Sequence, residues 1–114
     1  MKKTLALALL ASSLVAATAV GYAGTAADNW DSSCARCHGA DGTGNTKMGK
    51  KNKIKDYTDA QVQTALKDDE MAKAIKEGVK DASGTEKMKA FKDDLSDAEV
   101  ADLVAYIRKF KPSS

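Results

Sequence analysis

Cys34-Ala35-Arg36-Cys37-His38-Gly39 is the stretch on which the rest of the chain depends. Two thiols three residues apart, with a histidine directly after the second, form the attachment signature of c-type haem. The spacing has a geometric reason. On one helical turn residues i and i+3 face the same way, so both sulfurs reach vinyl groups along one porphyrin edge, and the next residue brings its imidazole under the ring. Two other uses of such a motif fit less well. A thioredoxin-like redox pair belongs in a βαβ pattern, which the chain does not show. A structural zinc site takes four ligands, whereas the chain has two cysteines and one histidine.

The start of the chain agrees with this chemistry. Met1-Lys2-Lys3 is a short basic region, Thr4 to Val20 runs without a charge, and small residues follow at Gly21, Ala23, Gly24 and Ala26. That is the layout of a secretory signal peptide. The expected leader is residues 1–23, with cleavage after Ala23 or a few residues later at Ala26 or Ala27, leaving one domain over residues 24–114. A retained anchor is disfavoured, because the stretch is marginal against the ~20 apolar residues a span needs and is rich in Ala, Ser and Thr. Export to the periplasm or beyond fits a bacterial c-type haem, which is joined to its cysteines outside the cytoplasm.

Loss of the leader changes the global balance. It carries two of the 18 basic residues and none of the 16 acidic ones, so the mature chain is net neutral. The precursor pI of about 8.5 therefore says little about partners, and no nucleic-acid partner is expected. Setting alanine and cysteine aside, the mature part has only 18 apolar side chains. Domains of this size are marginal without help. A buried porphyrin would supply the missing apolar body, so the haem-free chain is expected to fold poorly.

No strand pattern is visible, and helix signals recur. Residues from about Ala26 to Cys37 read as a first helix, with Asp28 or Asn29 near its start and Gly39 stopping it. Trp30 and Cys34 share a face, which makes Trp30 a core aromatic. Residues 40–56 read as a loop holding Lys47, Lys50, Lys51, Lys53 and Lys55, either a solvated surface or a docking patch for an acidic redox partner. Thr58 and Gln61 read as a capping box, with Tyr57 and Val62 as its staple. Val62, Ala65 and Leu66 form the face of the helix that follows. Asp68 or Asp69 is expected to cap the next helix, whose inner face is Met71, Ala74 and Ile75 and whose stop is Gly78. Residues 81–92 read as a second loop. The clearest helix is the last: Ser96 and Glu99 form a capping box stapled by Leu95 and Val100. Val100, Leu103, Val104 and Ile107 recur at i, i+3, i+4 and i+7, Phe110 extends the stripe, and Pro112 ends it.

His38 is the only histidine, so a second axial ligand must be of another kind, and cytochromes use thioether sulfur. Met1 leaves with the leader. Met48 has glycine- and lysine-rich neighbours that offer little burial, and Met71 is explained by packing beside Ile75. Met88, in a loop before Phe91 and the strongest helix, is favoured. Met48, Met71 and an open site remain as alternatives.

Residues 26–111 resemble a small bacterial class I cytochrome c, monohaem and His/Met-ligated. The likeness lies in Cys34–Gly39 near the mature N-terminus, in Lys87-Met88-Lys89-Ala90-Phe91 before Leu95-Ser96, and in Leu103-Val104-Ala105-Tyr106-Ile107 of the final helix. The resemblance implies an all-α fold of about four helices and loops wrapped around one haem c. It implies thioether bonds from Cys34 and Cys37 and iron ligation by His38 and Met88. It also implies that the first and last helices cross, with Tyr106 packed at their contact. Many members have proline after the ligand methionine; Lys89 stands there in this chain, which implies a looser loop and a weaker Met88–iron bond.

The function so implied is a soluble one-electron carrier, monomeric and without a membrane span once mature, that meets other redox proteins through transient contacts steered by lysines, with Lys47 to Lys55 and Lys87, Lys89 and Lys92 as the candidates. A haem-based sensor of small ligands is the alternative. It would leave the sixth position open, and the four-helix haem proteins of that kind carry the attachment motif near the C-terminus. A peroxidase-type enzyme would need distal acid–base groups, and no second histidine exists to serve.

Overall fold

Ser96 starts the longest helix, and the computed structural model, which describes residues 24–110, shows why the chain is arranged around it. The Ser96 hydroxyl accepts from the Glu99 N–H and the Glu99 carboxylate accepts from the Ser96 N–H, both at 3.1 Å, so the capping box is complete. Such a cap is worth about 1 kcal/mol. The helix it opens, α6 (Asp97–Arg108), buries Val100, Leu103, Val104 and Ile107, as their spacing requires.

Two helical regions lie on that face. The N-terminal one consists of α1 (Ala26–Asn29), a π-helical turn over Trp30–Cys34, and α2 (Ala35–His38). It was expected as one helix from about Ala26 to Cys37, with Asp28 or Asn29 near its start, and it does begin at Ala26. Its cap is instead Thr25, and the wider turn lets Ala35 N–H reach the Trp30 carbonyl. Trp30 and Cys34 are both buried, as their shared face predicts. α1 packs on α6, with the Trp30 and Tyr106 rings 5.7 Å apart. The Glu99 carboxylate also accepts from Asn29 Nδ2 at 2.9 Å, so the cap of the last helix doubles as a tie to the first. Hydrogen bonds from the Ser96 backbone and then Asn29 hold that carboxyl below its usual range.

The second region is α5 (Asp68–Glu77), which packs on α6 through buried Met71 and Ile75. Its stop at Gly78 is as expected, but its start is not. Lys67 stands at the cap position without a side-chain bond. Asp68 is engaged elsewhere, accepting from Arg108 Nε at 2.8 Å. Ahead of it, α4 (Ala60–Ala65) is capped by Asp59, which accepts from Gln61 N–H at 2.8 Å, and not by Thr58. Thr58 is taken by Asp56, which accepts both its N–H and its hydroxyl. Moving the cap by one residue removes Tyr57 from the staple position and frees its ring for other use.

α4 turns an unexpected side chain inward. Its buried residue is Gln63, while Ala65 of the expected apolar face is exposed and Val62 and Leu66 are half-buried. Gln63 Nε2 donates to the Tyr57 and Ile107 carbonyls at 2.7 and 2.8 Å, and its Oε1 accepts from Arg108 Nη1 at 3.1 Å. Arg108 also donates to the Gln63 and Leu66 carbonyls, closing the end of α4. A buried polar group so paired costs its full desolvation when partners are lost. Gln63→Leu is therefore expected to lower the unfolding free energy by about 1–3 kcal/mol, read from denaturant titration of the holoprotein.

Two further departures concern the loops. The segment expected as loop over 40–56 contains a short helix, α3 (Lys47–Lys51), capped by the Thr46 hydroxyl. The expected loop over 81–92 contains half of an antiparallel hairpin, β1 (Val79–Lys80) with β2 (Glu86–Met88), pairing Val79 with Met88. Such short strands leave no alternation to read in the sequence. Their turn is closed by Asp81, which accepts from the Ser83 and Thr85 N–H groups, each at 3.0 Å. The fold is otherwise helical. No helix among the described residues is long and apolar enough to cross a membrane; the expected leader and Pro112 lie outside them.

Candidate haem-binding site

The attachment segment is held by its backbone. Gly39 ends α2 at φ 85, ψ 149, next to a region that only glycine enters without strain, and its carbonyl accepts from Trp30 Nε1 at 2.9 Å. The last carbonyls of α2 would otherwise lack partners. The following loop supplies them: the Thr46 hydroxyl donates to the Cys37 carbonyl at 2.6 Å and Gly44 N–H to that of His38 at 2.7 Å. Gly49 closes this contact so tightly that a Cβ there would stand 2.7 Å from the Cys37 carbonyl and 2.1 Å from that of Gly44. The glycines and Thr46 of a stretch that resembled featureless loop thus brace the motif.

His38 lies between aromatic rings. Its imidazole stacks on Tyr57 with centroids 5.2 Å apart and planes at 15°, and Trp30 is 5.5 Å away. Burial lowers its pKa, which keeps the ring neutral, the form that ligates metal. Its Nδ1 is buried and has no hydrogen-bond partner. Cys34 is buried and Cys37 half-buried, both as free thiols. Burial, then the neighbouring Cys37, pushes the Cys34 thiol up to about 11. Among the described residues no group of three or more His, Cys, Asp or Glu side chains could hold a metal ion by itself.

Cys34, Cys37, His38 and Met88 all line one cleft of about 660 Å³, within the ~300–1,000 Å³ of ligand pockets. Ile54, Tyr57, Leu66, Ala74, Val79 and Phe91 give it apolar walls. Met88 also borders a narrower cavity of about 120 Å³ beside His38, which Met71 lines from the core side; Met48 lines neither. The two thiols, a neutral imidazole, a thioether and an apolar slot fit a covalently held porphyrin. Tyr57, Ile54, Leu66 and Phe91 were not singled out for this cleft by sequence. Sequence places Tyr57 in a staple and Leu66 on a helix face, and Ile54 and Phe91 carry no signal beyond being large and apolar.

With that geometry in view, comparison with known proteins is direct. Residues 25–111 match the family model for cytochrome c, and the chain belongs to that family. Among solved structures it is similar to the KustC0563 c-type cytochrome, at 29% identity over 78% of this chain and 100% of that one, with a TM-score of 0.67. It is similarly related to a tyrosine-to-phenylalanine mutant of Kustc0563, at 30% identity over 77% and 100% of the two chains, with a TM-score of 0.65. No curated protein sequence matches. Membership supports the all-α cytochrome c fold and a haem-based electron carrier, and implies covalent haem c consistent with Cys34 and Cys37.

Proposed function

We propose that the mature chain, residues 24–114 after removal of the leader 1–23, is a soluble, monomeric, monohaem electron carrier of the bacterial periplasm. Cys34 and Cys37 would hold the porphyrin through their sulfurs, and His38 and Met88 would offer its iron an imidazole nitrogen and a thioether sulfur. The observation that carries this reading is that Met88, 50 residues after His38 in sequence, lines the same cleft as the attachment motif. Bound haem supplies a one-electron couple, and imidazole with thioether raises its potential. The chain does the rest. Cys34 and Cys37 would anchor the ring, Ile54, Leu66 and Phe91 would keep water from the cleft they line, and the Met88 sulfur would keep substrate from the iron. With a single histidine, the chain offers no distal imidazole for peroxide chemistry, which favours carrier over enzyme. The test is the wild-type holoprotein: both oxidation states should be low-spin, and the reduced form should give no carbon monoxide adduct on mixing. Rapid carbon monoxide binding would instead establish the open-site sensor.

The partner is proposed to be an acidic redox protein that docks transiently. Arg36, Lys53, Lys55, Lys87 and Lys89 line the cleft, and no carboxylate does, although the mature chain is net neutral. Lys87 and Lys89 are already engaged by Asp81 and Asp94, at 3.6 and 3.0 Å. Lys53 holds φ 53, a left-handed conformation costing a side chain about 1–2 kcal/mol, so a cation stands at the mouth against backbone preference. Lys53 and Lys55 are therefore the expected steering charges. Electron transfer to an anionic small oxidant should slow several-fold as salt rises from ~0.01 to ~1 M, because the Debye length falls from ~30 to ~3 Å. Lys53→Glu with Lys55→Glu should reverse that trend. A salt-independent rate removes charge steering from the account.

A further inference from the structure

The segment that carries Met88 is tied to the end of α5. Three carbonyls of the last turn of that helix find N–H partners in order. Gly78 donates to Ala74 at 2.8 Å, Phe91 to Ile75 at 2.9 Å and Lys92 to Lys76 at 3.2 Å. Two of these donors come from beyond Met88, so the strap over residues 88–92 completes a helix end that would otherwise be unsatisfied. Between helix and strap stands Gly78, at φ 77 and ψ −179, in a region entered essentially by glycine alone. A Cβ there would lie 2.6 Å from the Met88 carbonyl oxygen, 2.9 Å from Ala90 N and 3.1 Å from the Lys89 carbonyl carbon. Directly after Gly78, Val79 pairs with Met88 in the hairpin. Lys89 reaches back to Asp94 at 3.0 Å and lies 5.3 Å from the Phe91 ring.

We infer that Gly78 and the last turn of α5 are the positioning device for the Met88 thioether, setting how readily the sulfur leaves the iron. This rests on Met88 being the axial ligand. The device answers the absence of proline after Met88. Proline would stiffen the strap by fixing φ at one residue. Here stiffness comes from contact of the Met88–Ala90 backbone with Gly78 and from two hydrogen bonds to a helix that is itself anchored in the core by Met71 and Ile75. A side chain at Gly78 would push the strap, and Met88 with it, away from α5.

The test compares Gly78→Ala with Gly84→Ala in the holoprotein. Gly84 also has a positive φ, of 83, but a Cβ there meets nothing within 4 Å. Both variants therefore carry backbone strain, and only the first disturbs the strap. Displacement of the sulfur ligand by added imidazole should be faster by about tenfold or more in Gly78→Ala, the change expected when strain of this kind is relieved by opening. The sulfur-to-iron charge-transfer band should weaken with it, and Gly84→Ala should match wild type in both. A wild-type measurement covers the case in which Gly78→Ala does not fold. Because coupling is reciprocal, imidazole should accelerate hydrogen exchange at the Phe91 amide while leaving the Leu103 amide unchanged. Equal displacement rates in the two glycine variants, or a Phe91 amide indifferent to imidazole, would overturn the inference while leaving the ligand intact. A wild-type protein without the sulfur band would overturn the ligand assignment, and the inference with it.

Discussion

Without haem, residues 24–114 are expected to show no cooperative thermal transition and only partial helix content. The physical reason lies in how the large apolar side chains are divided. Of the 18 in residues 24–114, seven are buried in the protein core: Trp30, Met71, Ile75, Val100, Leu103, Val104 and Ile107. Six others, Ile54, Tyr57, Leu66, Val79, Met88 and Phe91, line the cleft, and Val79 is 41% exposed. Burying such a side chain fully is worth about 1.5–3 kcal/mol. Completing the half-done burial of six contributes roughly 5–9 kcal/mol, as much as the whole stability of many domains, about 5–15 kcal/mol. The core among the protein's own residues is thus a seam between α6, the first helical region and α5. Tyr57, Leu66, Met88 and Phe91 touch that seam with only part of their surface, and the rest of each faces the cleft. Circular dichroism of a Cys34→Ser, Cys37→Ser chain produced without haem checks this. A sharp melt with the full helix signal would show that the seam is sufficient alone.

Met88→Ala is expected to have the largest effect on chemistry with little on the fold. Met88 is half-buried at the end of a short strand, and truncating it removes packing worth up to about 2 kcal/mol. Loss of the thioether acts on the site directly. The sulfur-to-iron charge-transfer band should disappear, the reduced protein should bind carbon monoxide on mixing where wild type does not, and the reduction potential should fall, since thioether ligation raises it. Met48→Ala and Met71→Ala are the controls. Met48 lines neither cavity, and Met71 lies in the core at 5% exposure, so neither change should remove the band. If Met71→Ala abolished it and Met88→Ala did not, the ligand assignment would pass to Met71, which borders the same narrow cavity.

Much of the architecture is legible in the residues because it depends on local chemistry. The Ser96–Glu99 box, the stripe from Val100 to Ile107, the stop at Gly78 and the pairing of Trp30 with Cys34 on one face each follow from helical periodicity and capping. Errors arise where two local options compete and a distant residue chooses between them. Thr58 loses its cap role because Asp56 takes its hydroxyl. Asp68 leaves the start of α5 because Arg108, 40 residues away, claims its carboxylate. Gln63 turns inward because two buried carbonyls, one from the last helix, await a donor.

By itself the sequence determined where the attachment motif lies, since Cys34, Cys37 and His38 lie on one turn and need no tertiary contact to be read together. It also determined the helical class, through periods that any isolated stretch displays. The tertiary structure alone decided which methionine shares the cleft with His38, which cations rim that cleft and which do not, and what steadies the Met88 strap in place of proline. Those outcomes depend on residues far apart in the chain meeting at one surface, and no local period or spacing encodes such a meeting.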